Sequence, residues 1–140
     1  MELTAISLQT VEPNQNVLFN ETAIAGSCSI VHREGSGLVI LRGLTRQARA
    51  RFRVSFGANV AIPEGTEDVI PLSLSIKLNG EPVSSAEMIS TPAAVGDFNN
   101  VYSSIFIEVP CNCCTQVSVG NSGDSNVEVQ NANLIIERVA

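Results

Sequence analysis

Four cysteines, Cys28 and the run Cys111, Cys113 and Cys114, and one histidine, His32, are the strongest nucleophiles and metal ligands in this 140-residue sequence. Their spacing argues against a zinc centre. One Cys-x-Cys-Cys run is not the two separated ligand pairs that a tetrahedral site uses, and adjacent cysteines rarely reach one ion. The thiols read as reduced and buried. A bridge from Cys28 to one of the clustered cysteines fits the composition, but the spacing chooses no pair. His32 has no second histidine to work with and reads as a structural residue beside a turn. Oxygen-rich segments at residues 96–100 and 121–126 lack the ligand spacing of a dedicated calcium loop and are explained as turns. No nucleophile elbow, phosphate loop or dinucleotide fingerprint occurs. The expectation is therefore no catalytic residue, no metal, no cofactor and no enzymatic activity.

The most patterned segment is residues 48–56, Ala-Arg-Ala-Arg-Phe-Arg-Val-Ser-Phe. A strand turns successive side chains to opposite faces, so Ala50, Phe52, Val54 and Phe56 share one face and Arg49, Arg51, Arg53 and Ser55 the other. Basic residues gather in this part of the chain: Arg33, Arg42, Arg46, Arg49, Arg51 and Arg53 all lie between positions 33 and 53, whereas the net charge is −6. Nucleic-acid binding is disfavoured, because such domains are basic overall and this chain has a single lysine, Lys77. The arginine row is expected to meet acids on a neighbouring strand or subunit, which makes Arg49, Arg51 and Arg53 candidate contacts with another subunit or a particle.

Short strand signals separated by turn chemistry recur along the chain. They fall at residues 4–11, 16–20, 28–33, 38–42, 46–62, 72–78, 83–91, 101–109 and 115–119, with one or two more in 126–139. The Glu34-Gly35-Ser36-Gly37 connector and the Asn79-Gly80 pair mark hairpins, and Gly57 marks a bend or bulge within the long strand. No segment keeps a helical apolar period over ten residues. With 44% hydrophobic residues, 16% charged residues and no tryptophan, the chain reads as globular, with neither a membrane span nor a secretory signal. These features predict an all-β fold, a two-sheet antiparallel jelly-roll sandwich of about ten strands in one domain over residues 1–140. An immunoglobulin arrangement would want fewer strands and a core tryptophan. Residues 1–15 are either the first strand or an anchoring arm.

Several stretches carry a resemblance. Val17-Leu18-Phe19-Asn20, residues 30–37 from Ile30 to Gly37, residues 51–63 from Arg51 to Pro63, Leu78-Asn79-Gly80-Glu81-Pro82, Val109-Pro110 with Cys113-Cys114, and Val129 to Leu134 together resemble small bacterial and bacteriophage proteins. Those proteins have a trimeric jelly-roll head like tumour necrosis factor and the complement globular heads. The resemblance implies a homotrimer packed about a threefold axis. Related heads cap collagen-like stalks, but this chain contains no Gly-x-y repeat. A stalkless head is expected to attach by its own surface. The expectation is a non-enzymatic virion surface subunit, made in the host cytoplasm without a signal peptide and decorating or cementing the exterior of a bacteriophage capsid. Its partners would be capsid or other particle surface proteins, with no nucleic acid and no membrane. The alternative is a module that binds a glycan or a host surface through its loops, with Phe98 and Tyr102 as the aromatic candidates.

Overall fold

A computed structural model describes residues 1–43, 49–111 and 113–140. Among these residues there is no helix. Eleven strands run in chain order: β1 Glu2–Ala5, β2 Gln9–Val11, β3 Glu21–Ile24, β4 Ile30–His32, β5 Val39–Arg42, β6 Arg49–Ala61, β7 Leu72–Leu78, β8 Glu81–Ser90, β9 Asn99–Pro110, β10 Cys114–Asn121 and β11 Val127–Arg138. They form two antiparallel sheets. One has the order β3-β1-β11-β6-β9, with β2 also paired to β11, and the other has the order β4-β5-β10-β7-β8. The fold is the expected jelly-roll sandwich.

The alternation that defines the arginine strand is realised along the whole of β6. Ala50, Phe52, Val54, Phe56, Ala58 and Val60 are buried between the sheets, and Arg49, Arg51 and Arg53 face outward. Full burial of a side chain such as Phe52 or Phe56 stabilises the fold by about 1.5–3 kcal/mol. Phe56 meets Phe19 edge to face, with centroids 6.3 Å apart and planes at 79°, an arrangement favoured by the ring quadrupoles. Leu74 and Ile76 from β7, Val117 and Val119 from β10, and Leu134 and Ile136 from β11 complete the layer.

Several boundaries differ from the sequence reading. Residues 4–11 form two strands rather than one, and both enter the six-stranded sheet. Residues 16–20 do not form a strand. They make one bridge, Asn16 to Gly120, because Val17 donates to Val119 on β10 while Leu18 is held by the side chain of Gln9. The expected start of the long strand, with Arg46 and Ala48, lies outside the described residues, as does Asn112 of the cysteine run. The bulge is not at Gly57, which keeps register with Tyr102 on β9. It lies in β11, where Asn131 and Ala132 together oppose Ala58, and Asn131 takes a φ of 56°. The Asn79-Gly80 turn is as read, with φ values of 52° and 85°, the positive pair that suits a tight hairpin. Pro82 is accommodated because β8 is an edge strand.

Gly43 and Gly57 respond differently to a side chain. A Cβ on Gly43 would sit 2.2 Å from the Pro110 carbonyl oxygen, and on Gly57 it would come no nearer than 3.6 Å to the Tyr102 ring. Gly43→Ala is expected to cost about 1–3 kcal/mol or more in urea unfolding, and Gly57→Ala to change stability by less than about 0.5 kcal/mol.

Candidate functional site

The outer face of the six-stranded sheet is built by the register of three strands. Arg51 lies opposite Glu108, Arg53 opposite Phe106, Ser55 opposite Ser104 and Gly57 opposite Tyr102 on β9. On the other side of β6, Glu137 lies opposite Arg53 and Ile135 opposite Ser55 on β11. Continuing across the sheet, Ile135 faces Glu2 on β1, and Glu2 faces Ile24 on the edge strand β3.

The three candidate arginines find acids within the same chain. Arg49 Nη1 and Arg51 Nη2 each donate to Glu108, at 2.9 Å to its two carboxylate oxygens. Arg53 pairs with Glu137. These groups are largely exposed, so the pairs set side-chain directions more than they stabilise the fold. Two guanidinium groups on one carboxylate leave a positive charge uncompensated beside β9. The hydrogen bonds from Arg51 and then Arg49 hold the Glu108 carboxyl below the usual range.

Apolar side chains share this face. Phe106 is 65% exposed and Tyr102 64%, both on the edge strand β9. Hydrogen bonding with Ser55 and then Ser104 lowers the Tyr102 hydroxyl below the ordinary phenol value, with a smaller contribution from the charge of Arg53. Toward the opposite edge, Met1, Glu2, Ile24, Ile135, Ile136 and Glu137 line a groove of about 250 Å³. Ile24 and Ile135 form its exposed walls. The period-two pattern of residues 102–108 contains the signal for the aromatic face. It was obscured because Val101, Ile107 and Val109 make the other face of β9 apolar as well.

The remaining sequence candidates are dispersed. His32 Nε2 hydrogen-bonds the Ser36 carbonyl at 2.8 Å, and its ring meets Phe19 edge-on with centroids 6.5 Å apart. It closes the β4–β5 connection. The thiols correct the expectation of burial, for Cys28, Cys113 and Cys114 are exposed and free. Cys28 lies in the turn closed by the Ser27 carbonyl and the Ile30 amide, and Cys114 precedes the part of β10 that pairs with β7. Among the described residues no group of three or more His, Cys, Asp and Glu is placed to hold a metal ion.

The polar loops are tied internally. Asn99 donates to Ser90, and Asn100 to Asn59 and the Ala58 carbonyl. Fully buried Asn121 donates to the Val11 and Ser125 carbonyls and accepts from the Gly123 amide. Phe98 is 44% exposed in the loop before β9, while Tyr102 is in the strand itself.

This fold is a complement-head type of jelly roll. The globular domain of zebrafish complement 1qA protein superimposes with a TM-score of 0.70 at 11% identity, over 99% of this chain and 95% of that one. More distant matches are the sugar-binding C-terminal domain of EclA, with a TM-score of 0.43, 14% identity and coverage of 95% and 79%, and a CBM35 from Cellvibrio japonicus Abf62, with a TM-score of 0.40, 8% identity and coverage of 100% and 98%. No family model matches the chain, and no curated protein matches it.

The paired arginines give Glu108 a testable titration. Its folded pKa is lowered, so its contribution to stability is present above the unfolded carboxylate value and is lost as pH falls through the lowered folded value. A carboxyl NMR titration should place the Glu108 midpoint below that of ordinary glutamates. Replacing both Arg49 and Arg51 by Gln should return it to the usual range.

Proposed function

We propose that the protein is a non-enzymatic subunit that forms a homotrimer through the outer face of its six-stranded sheet and is displayed on a larger particle, decorating or cementing a bacteriophage capsid. The observation that carries the assembly is the placement of two unlike apolar features at opposite sides of one face. Phe106 and Tyr102 project near the β9 edge, and the Ile24–Ile135 groove lies near the β3 edge.

Unlike patches meet head to tail, and a heterologous contact of that kind closes into a ring when its rotation permits. In such a ring the aromatic edge of one copy enters the groove of the next. Charge supports the same docking. The surplus positive charge of Arg49 and Arg51 flanks the aromatic edge, and Glu2 lines the groove, with Glu21 beside it on β3. Arg53, bound to Glu137, sits between the two patches.

The reading of three copies rests on the family resemblance, as does the capsid. A subunit whose sheet face is occupied by its own copies would keep its other sheet and its loops for the particle.

Native mass measurement of the purified protein is expected to give three chain masses, and Phe106→Glu or Ile24→Glu to give one chain mass with an unchanged circular dichroism spectrum. Co-sedimentation with capsids assembled without it should bring the trimer into the pellet. A wild-type chain that stays monomeric at high micromolar concentration would overturn the assembly, and a trimer left in the supernatant would overturn the capsid role.

A further inference from the structure

A second surface feature lies where the chain passes from one sheet to the other. Strand β2 ends at Val11, and a turn closed by the Gln15 amide on the Glu12 carbonyl, with Asn14 at a φ of 65°, redirects the chain. Pro13 supplies the fixed φ before that positive one, the type II pattern. Residues 14–17 then run beside β10: Asn14 donates to Asn121, Asn121 to Gln15 and Val17 to Val119. One wall is thus strand β2 of the six-stranded sheet and the other a segment held on β10 of the five-stranded sheet, and both are fixed by backbone hydrogen bonds.

Between them is a cleft of about 420 Å³ lined by Gln9, Thr10, Glu12, Gln15, Asn16, Leu18 and Gly37. That volume lies within the usual range for small-ligand sites. Gly37 keeps one wall tight, since a Cβ there would sit 2.7 Å from the Val17 carbonyl oxygen and 2.9 Å from the Asn16 Cβ. The Gln9 amide is locked, donating to the Leu18 carbonyl and accepting from the Leu18 amide, both at 3.0 Å.

The other polar side chains are uncommitted. Among the described residues Thr10, Glu12, Gln15 and Asn16 make no side-chain hydrogen bond, and Asn16 Oδ1 is buried without a partner. Thr10, Glu12 and Gln15 are exposed and open to a ligand, whereas Asn16 Oδ1 lies against Gly120, where the Lys77 ammonium also sits.

The lining chemistry restricts the ligand. No lysine or arginine lines the cleft, which disfavours phosphates, sulfates and carboxylates. No aromatic ring is available to stack a base, and one carboxylate, Glu12, is too little charge to hold a divalent cation among neutral groups. What is present is the Glu12 carboxylate and the Gln15 amide, each able to engage two adjacent hydroxyls, beside the half-exposed Leu18, a surface for a C–H face.

We propose that this cleft binds a neutral saccharide, with Glu12 and Gln15 engaging ring hydroxyls and Leu18 packing against the ring. The site is remote in the sheet order from the β9 edge, because β2 pairs with β11 alone. None of its lining residues belongs to the β9 edge or to the Ile24–Ile135 groove.

The test is a nitrogen-15 NMR titration of the full chain with glucose, galactose, mannose and N-acetylglucosamine in turn, with glycerol as the control polyol. At least one sugar is expected to give saturable shifts at the amides of Gln9, Gln15, Asn16 and Leu18, unchanged by EDTA. Glu12→Gln and Gln15→Ala are each expected to weaken binding about tenfold, the factor that follows from losing one good hydrogen bond, while leaving the rest of the spectrum in place. No shift with any of the four sugars, equal shifts with glycerol, shifts confined to another surface, or loss of binding in EDTA would each overturn the proposal. The native mass of the same sample reads the assembly separately.

Discussion

The register of β6 between β9 and β11 is the constraint on which the rest of the molecule depends. Its side chains alternate between Phe52, Val54 and Phe56 inside and Arg51, Arg53 and Ser55 outside. A slip of one residue would send the aromatic rings to solvent and the guanidinium groups into the core. The cost of burying an unpaired charge makes that slip far less favourable than any loss of surface pairing. Fixed in this way, β6 delivers Arg51 to Glu108 and Arg53 to Glu137, and it places Phe106 and Tyr102 on the same face.

Much of this architecture was legible in the sequence because the strands are short, alternating and punctuated. The Asn79-Gly80 hairpin, the hairpin joining β4 and β5, and the long arginine strand each carried a local signal. The misreadings have a common cause. Whether residues 16–20 form a strand depends on whether a partner lies alongside, and there the partner of Leu18 is the amide of Gln9. Gly57 signals a bend or bulge in the long strand because an interior glycine often marks one. The extra residue was taken up across the ladder by β11, where Asn131 adopts the positive φ.

The candidate surface was only half visible. The arginines announced themselves by alternation, but their partners, Glu108 and Glu137, are 57 residues beyond Arg51 in one case and follow from strand order in the other. Apolar groups on an outer face leave no mark in a strand whose inner face is also apolar, as in β9. The cysteines were the reverse case. Their type gave burial as the default, but Cys28 lies in a turn and Cys114 stands opposite Arg42, on the face away from buried Leu41.

The clasp between Gln9 and Leu18 has a wider meaning. A stretch of backbone with free amide and carbonyl groups is a template on which another chain can lay a strand, and crowding raises the chance that it does. At Leu18 both groups are already engaged by a side-chain amide that mimics a neighbouring strand without offering a further edge. The backbone at Leu18 is thereby closed to recruitment by another chain.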